Sequence, residues 1–289
     1  MFNKKYEVLQ NRATCLTWDE YESKSIIEYN KLLEEKSESE MVFQEFFERN
    51  PSFLPGALNL IGQSGHYPYM HTVISQPELG VAYKRKPDFL WLSNNSLEFC
   101  PVFIEIEKPN KKMFNKNGTT TAEFNQAIEQ LHEWKFLISE PANRLVFYDY
   151  FNIPQGERDK TFKPQFLLIY GRRSEYEGDK FLTGKRATQN TLDTLVVSYD
   201  RLKPISEYRQ FITCKVFNQK YNVIHIPPTF KYRADCSEEL VKMNEFYNQI
   251  SNIKYVTEER KVLLKERYDY WIEFGKMKNK GIISGMEGE

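Results

Sequence analysis

KPDFLW (86–91), VFIEIEKP (102–109) and FNQAIEQLHEW (124–134) are the three parts of the segment that decides the fold. The first is apolar and aromatic and is followed by Ser93-Asn94-Asn95-Ser96, which predicts a buried strand and a turn. A second strand is predicted from Phe99 to Ile106, because Pro109 ends the apolar run. The two strands could form a hairpin, which would bring Asp88 and Glu105 to the same end of the sheet.

Asp88 and Glu105 are the predicted ligands of a divalent cation. Mg²⁺ prefers hard oxygen ligands, and it commonly takes one or two carboxylates together with waters and phosphate oxygens. Such a cation activates water and neutralises charge on a phosphate leaving group. The sequence therefore predicts a site for Mg²⁺ or Mn²⁺ that acts on a phosphodiester.

The residues after Glu105 leave the third position of the site open. Side chains alternate along a strand, so Glu105 and Glu107 should share one face and Lys108 should point to the other. Either Glu107 serves as a second metal ligand or base, or a bulge turns Lys108 inward. Taken alone, the segment also fits a solvated charge run at the end of an edge strand.

A helix follows, and Thr120 with Glu123 can form a capping box at its start. Gln126, Gln130 and Trp134 are four residues apart and therefore share one face of the helix. A glutamine on that face could hold a metal ligand or a backbone phosphate, although a lone glutamine is more often a solvated surface residue.

Composition excludes several classes of protein. The 289 residues are 15% aromatic and 40% hydrophobic, which favours a packed globule over disorder. The formal net charge is +0, so the chain is not a globally basic DNA-coating protein, and any contact with DNA must come from a local patch. Lysine and arginine flank the proposed site on both sides and form such a patch: Lys84, Arg85, Lys86, Lys108, Lys111, Lys112, Lys116.

Cysteine usage and hydropathy point to the cytoplasm. The four cysteines form no CxxC pair, so a disulfide framework and a zinc site are both unexpected. We find no apolar run long enough to span a bilayer and no signal-peptide core after Met1.

The rest of the chain alternates between strand and helix patterns, which predicts an α/β (α+β) fold with a mixed central sheet flanked by helices. Apolar spacing predicts one helix at 18–35 and a second that Ser37 and Glu40 can cap. Strands are predicted at 72–76 (as an edge strand), 145–150, 166–170, 195–199, 212–217 and 221–226. A helix from about 238 to 250 and another opened by Thr257 should cover the core or an oligomer contact. The predicted division is an N-terminal helical segment (1–37), a central domain (38–228) and a C-terminal helical extension (229–289).

In this order the motifs resemble the metal-binding core of PD-(D/E)xK nucleases and, more closely, the nuclease domain of the Shedu family. The resemblance covers roughly residues 38–205 and rests on Glu40, KPDF (86–89), FIEIEKP (103–109), the helix 126–134, LIYGR (168–172) and SYDRL (198–202). The chain departs from the usual class pattern at Glu107, where a lysine is expected.

The resemblance implies a restriction-endonuclease-like fold, metal-dependent cleavage or nicking of DNA, a homo-oligomer (dimer or tetramer) and a role in anti-phage defence. By position, Asp88 and Glu105 would bind metal, Glu107 or Lys108 would take the third role, and Gln126 would support them. Glu40 would support the metal from the preceding helix, unless it is a plain capping residue. The residues expected to contact DNA are Lys84, Arg85, Lys86, Lys111, Lys112, Gln130 and Arg172, and Arg172 could instead pair with an acidic neighbour.

The sequence favours two other functions less than it favours the nuclease. A catalytically silent DNA-binding or scaffold protein on the same fold would explain Glu107 in place of lysine. An unrelated small-molecule enzyme is disfavoured, because the chain has neither a glycine-rich phosphate loop nor a nucleophile elbow.

Overall fold

The structure, a computed structural model, describes residues 3–10, 12–61, 65–79, 86–285 and 287–289. The helices are α1 (Trp18–Glu35), α2 (Glu40–Arg49), α3 (Ala122–Ser139), α4 (Pro141–Tyr150), α5 (Gln155–Arg158), α6 (Lys180–Ala187), α7 (Ser237–Val241), α8 (Phe246–Gln249) and α9 (Glu258–Lys276). The strands are β1 (Tyr67–Ser75), β2 (Phe89–Asn94), β3 (Glu98–Ile106), β4 (Thr161–Phe162), β5 (Gln165–Ile169), β6 (Thr194–Val197), β7 (Ile212–Phe217), β8 (Lys220–His225) and β9 (Met243–Asn244).

Within these described ranges the strands form one mixed sheet in the order β6-β5-β3-β2-β1-β7-β8-β9, and β4 pairs with the start of β3. Strand β2 is antiparallel to both of its neighbours, whereas β3, β5 and β6 are mutually parallel, as are β1 and β7. The carboxyl ends of β1, β3, β5, β6 and β7 therefore meet the start of β2 at one edge of the sheet, which we call the C-terminal edge.

Each face of the sheet is covered by its own set of helices. Alternate residues of the central strands divide between the two faces: Trp91 packs with the aromatic side chains of α1 and α2, and Leu90 packs with α3 and α4. The alternation along β3 puts Phe103, and with it Glu105, on the α3 side. The mixed α/β architecture predicted from the sequence is confirmed.

Two sequence predictions about β structure are wrong. The 145–150 segment is the second half of α4, not a strand, because Pro141 stands at the first helical position and Phe147 and Tyr148 are buried against the α3 face of the sheet. The 72–76 segment belongs to β1, which lies inside the sheet between β2 and β7 and is not an edge strand.

The helices and caps also differ in detail from the expectations. The 238–250 region is divided into α7, the short strand β9 and α8, with Glu245 in a left-handed conformation at the break (φ 61°). Helix α3 is capped by Thr121, one residue after the predicted cap, and its hydroxyl accepts from the Phe124 amide at 3.2 Å. Phe246 of α8 and Trp271 of α9 are buried in the core, whereas Tyr247 of α8 is exposed, so the alternative of an oligomer contact stays open.

In the described part of the chain, none of the helices has the length and apolar character needed to cross a membrane.

Candidate metal centre

The candidate site is built from carboxylates that converge on the C-terminal edge. Asp88 lies one residue before β2, Glu105 lies next to the last residue of β3, and Glu107 follows that strand. Backbone hydrogen bonds join these segments: the Asp88 amide donates to Ile104 O at 3.0 Å, and the Glu107 amide donates to Ile169 O at 2.9 Å. The pairing predicted for the two strands is therefore present, and Asp88 and Glu105 lie at the same end.

Asp88 is fixed by the strand opposite it. Its Oδ2 accepts from the Ile106 amide at 2.8 Å, and its carbonyl accepts from the Gln76 amide at 2.7 Å. Burial, together with the negative charges of Glu40 and Glu107, raises the pKa of Asp88 to about 7, against the smaller opposing effects of its hydrogen bonds to the Ile106 amide and to Glu105.

Glu105 is almost fully buried, with 8% of its surface exposed. Its Oε1 accepts from Gln130 Nε2 at 2.6 Å, whereas no N–H or hydroxyl group of the described residues donates to its buried Oε2. Burial raises the pKa of Glu105 well above its usual value, and the neighbouring Asp88 raises it further both by charge and by hydrogen bonding. A buried carboxylate oxygen without a donor is costly unless a cation or a proton occupies the space in front of it.

Glu40 and Glu107 enlarge the acidic cluster on the side of α2. Glu40 is the first residue of α2, and the cap position is Ser39, so the reading of Glu40 as a capping-box residue is wrong. Burial raises the pKa of Glu40, and the charge of Glu107 raises it further. The Glu107 carboxylate is paired with Lys111, whose Nζ lies 2.5 Å from Oε2, and the Glu107 carbonyl accepts from the buried Tyr199 hydroxyl at 2.5 Å.

Gly171 lets the end of β5 approach the loop that carries Lys111. It has a left-handed backbone (φ +62°), and a Cβ at this position would lie 2.7 Å from Lys111 O. Its carbonyl accepts from the Tyr199 amide at 3.1 Å, which connects the ends of β5 and β6. The Gly-Arg motif of the sequence thus shapes the edge through its glycine.

The remaining predicted residues occupy different environments. Gln126 is exposed, and the glutamine that reaches Glu105 is Gln130, one turn later, which the sequence analysis had assigned to DNA. Arg172 pairs with Asp200 at 2.7 Å, which corresponds to the acidic-neighbour alternative. Lys108 is exposed, and its charge acts on Glu40, where it opposes the rise in the pKa of that carboxyl.

The basic residues expected to contact DNA are divided by position. Lys112 is exposed on the loop after β3, and Lys86 pairs with Glu78 at 2.6 Å beside Asp88. Lys84 and Arg85 lie outside the described residues.

Sequence reasoning missed the roles of Lys111 and Tyr199. Lys111 was assigned to DNA as one of several loop lysines, yet it is the lysine that neutralises Glu107. The four-residue spacing between Glu107 and Lys111 was a visible signal, but Pro109 argued against a helix there. A turn brings the Glu107 and Lys111 side chains together, and in this turn the Lys111 amide donates to Lys108 O at 3.1 Å.

The residues at this edge fit a divalent cation that is only partly enclosed by protein. Among the residues that the structure describes, no group of three or more His, Cys, Asp and Glu side chains could hold a metal ion by itself, and Glu40 is not gathered into such a group. Asp88 and Glu105 can supply two oxygen ligands, and the unpartnered Oε2 of Glu105 is free to do so. Two carboxylates with the other positions left to water and phosphate are typical of Mg²⁺.

Comparison with known proteins assigns the family. Residues 37–202, more than half of the chain, match the family model described as Shedu protein SduA, C-terminal. The chain therefore belongs to the Shedu family, whose members are associated with nuclease activity in defence, and membership implies anti-phage defence. A search of curated proteins found no match.

Proposed function

We propose that this chain is a divalent-metal-dependent deoxyribonuclease with a restriction-endonuclease-like fold that cleaves or nicks phage DNA in the bacterial cytoplasm and works as a homo-oligomer. One observation carries the proposal. Two carboxylates at the ends of adjacent strands, Asp88 and the buried Glu105, lie opposite each other at the C-terminal edge with raised pKa values, and no N–H or hydroxyl group of the described residues donates to Glu105 Oε2. Such perturbed carboxylates are typical of sites that bind a cation or move a proton.

The residues around the pair have separate tasks. Asp88 and Glu105 would hold the cation, and a divalent cation supplies Lewis acidity that lowers the pKa of water and neutralises phosphate charge. Gln130 orients Glu105 through the bond to Oε1, so the other oxygen is directed at the site. Lys111 is held by Glu107 close to the acidic cluster and can stabilise negative charge that develops on the phosphate.

Cleavage of labelled duplex DNA with Mg²⁺ or Mn²⁺ tests the activity. Wild type, Asp88→Asn and Glu105→Gln should all fold, as judged by thermal unfolding, and only the wild type should cleave. Full activity in both variants would refute the site. DNA binding by the wild type without cleavage in any divalent metal would favour a scaffold protein on the same fold.

The role in defence has its own test. Bacteria that carry the wild-type chain should reduce phage plating, and bacteria that carry Glu105→Gln at equal protein level should plate phage like an empty vector. Equal protection by both would separate defence from catalysis.

A further inference from the structure

The β7–β8 hairpin extends beyond the C-terminal edge next to Asp88. Strand β7 pairs with β1 only through Cys214, while its pairing with β8 continues to Phe217 opposite Lys220. Asn218 and Gln219 form the two-residue turn, and both have positive φ (49° and 62°), as a tight type I′ hairpin requires. The last residues of β7 therefore project past the paired part of β1, where the Tyr150 hydroxyl donates to Val216 O at 3.2 Å.

Phe217 is exposed at the end of this projection, with 62% of its surface accessible. Alternation along β7 puts Lys215 and Phe217 on the open face, while Val216 between them is buried. Because the turn is short and both strands are paired up to it, the position of the ring is set by the hairpin. A large aromatic side chain that is fixed and solvent-exposed is a platform without a partner in the described residues.

A cleft of about 390 Å³ connects this platform to the candidate metal centre. Its lining residues come from both sides: Gln76, Glu78, Lys86, Pro87, Asp88, Lys215, Val216 and Phe217. The cleft thus starts at a predicted metal ligand and ends at an exposed aromatic ring.

Charge along the cleft suits a phosphate backbone. The Lys215 ammonium contacts the amide oxygen of Gln76 at 3.4 Å, and it forms no salt bridge with a carboxylate of the described residues. Lys86 pairs with Glu78, but both side chains are 47% exposed, so a phosphate could displace this surface pair at small cost.

We propose that this cleft holds the DNA strand bound at the metal centre and that an unpaired base stacks on Phe217, so that the chain prefers DNA with a single-stranded segment on the β7 side. This inference rests on the proposed function, and it adds the substrate class. Stacking of bases on exposed aromatic rings beside basic residues is the common mode of single-strand binding.

The spacing is consistent with a single continuous strand. Asp88 and Phe217 lie on segments separated by β1, so the two positions are about 10 Å apart across neighbouring strands. The rise is about 3.4 Å per nucleotide in a stacked duplex strand, and an unpaired strand is more extended. The stacked base therefore lies within about three nucleotides of the phosphate at the metal.

Binding without metal tests the proposal independently of cleavage. A fluorescein-labelled 20-nucleotide strand and the fully paired duplex of the same sequence are titrated in EDTA with the full-length chain, and anisotropy gives the Kd. Phe217→Ala should weaken single-strand binding about tenfold and change duplex binding less than twofold, whereas Phe217→Trp should bind as the wild type does. The matched control is Phe136→Ala, because Phe136 is also an exposed phenylalanine (71%). It lies towards the opposite side edge of the sheet, since its neighbour Lys135 pairs with Asp193, the residue before β6.

Three results would overturn the inference: wild type that fails to bind the single strand, Phe217→Ala that binds it within twofold of wild type, or an equal loss in Phe136→Ala. Thermal unfolding of each variant checks the fold, which an exposed side chain should not affect. A wild type that binds single strands through Phe217 but cleaves nothing with any metal would refute the nuclease and leave this inference standing.

Discussion

Removing one negative charge from the candidate metal centre should stabilise the metal-free protein. In the folded state Asp88 has a pKa of about 7, because it is desolvated close to the charges of Glu40 and Glu107, whereas in the unfolded chain it returns to about 3.8. The folded state therefore keeps a proton that the unfolded state has released. The stabilisation from this proton is fully present below pH 4 and is lost as the pH rises through 7.

The difference of about three pKa units corresponds to about 4 kcal/mol at pH 8. With an unfolding entropy of about 2.1 cal/mol/K per residue, 289 residues give about 0.6 kcal/mol per degree. Asp88→Asn keeps an oxygen that can accept from the Ile106 amide and removes the charge. We therefore expect Asp88→Asn to raise the Tm by about 3–7 °C at pH 8 in EDTA and to leave it nearly unchanged at pH 4.

Thermal unfolding in EDTA and in Mg²⁺ or Mn²⁺, at pH 4 and pH 8, measures both effects. A cation at one hundred times its Kd should stabilise the wild type by about 2.7 kcal/mol, or about 4 °C, and should not stabilise Asp88→Asn. The control is Glu35→Gln, since Glu35 is exposed at the end of α1. A Tm for Asp88→Asn at or below wild type at pH 8, or a gain of equal size at pH 4, would refute the charge-repulsion argument.

Two further predictions concern the residues around the pair. Gln130→Ala should lower metal affinity or cleavage by about 10–100-fold, because Gln130 orients Glu105. The control is Gln126→Ala, which removes an exposed glutamine and should change either quantity by less than about threefold. Metal titrations and initial cleavage rates compare the two variants, and equal losses would contradict the assignment of Gln130. Lys111→Met should lower the cleavage rate by about 100-fold or more and should reduce DNA affinity much less, because Glu107 holds the Lys111 charge where the phosphate would bind. A loss of DNA affinity without a loss of cleavage rate would make Lys111 a simple DNA contact.

The strand pair at the centre of the site was predictable because it depends on local pattern. Apolar runs with turn residues between them predicted β2 and β3, and their pairing as a hairpin put Asp88 and Glu105 at one end. The choice between Gln126 and Gln130 was not predictable. Both are on one face of α3, and the turn that meets Glu105 depends on where the helix begins and how it packs on the sheet.

Segments with mixed propensities required tertiary information. Residues 145–150 contain Val146, Phe147, Tyr148 and Tyr150, which favour a strand, but burial of the central pair against the sheet stabilises a helix that starts at Pro141. The pairing of Glu107 with Lys111 depends on the turn around Pro109, and Gly171 allows the β5 end to approach that turn. Such contacts join residues through loops whose path the sequence pattern does not determine.

Relaxation of supercoiled plasmid by the wild type and by Glu105→Gln, each with Mg²⁺, with Mn²⁺ and with EDTA, tests the metal centre most directly. We expect nicked or linear plasmid only with wild type and a divalent cation. Equal cleavage by Glu105→Gln, or cleavage by the wild type in EDTA, would contradict a metal-dependent reaction at Asp88 and Glu105.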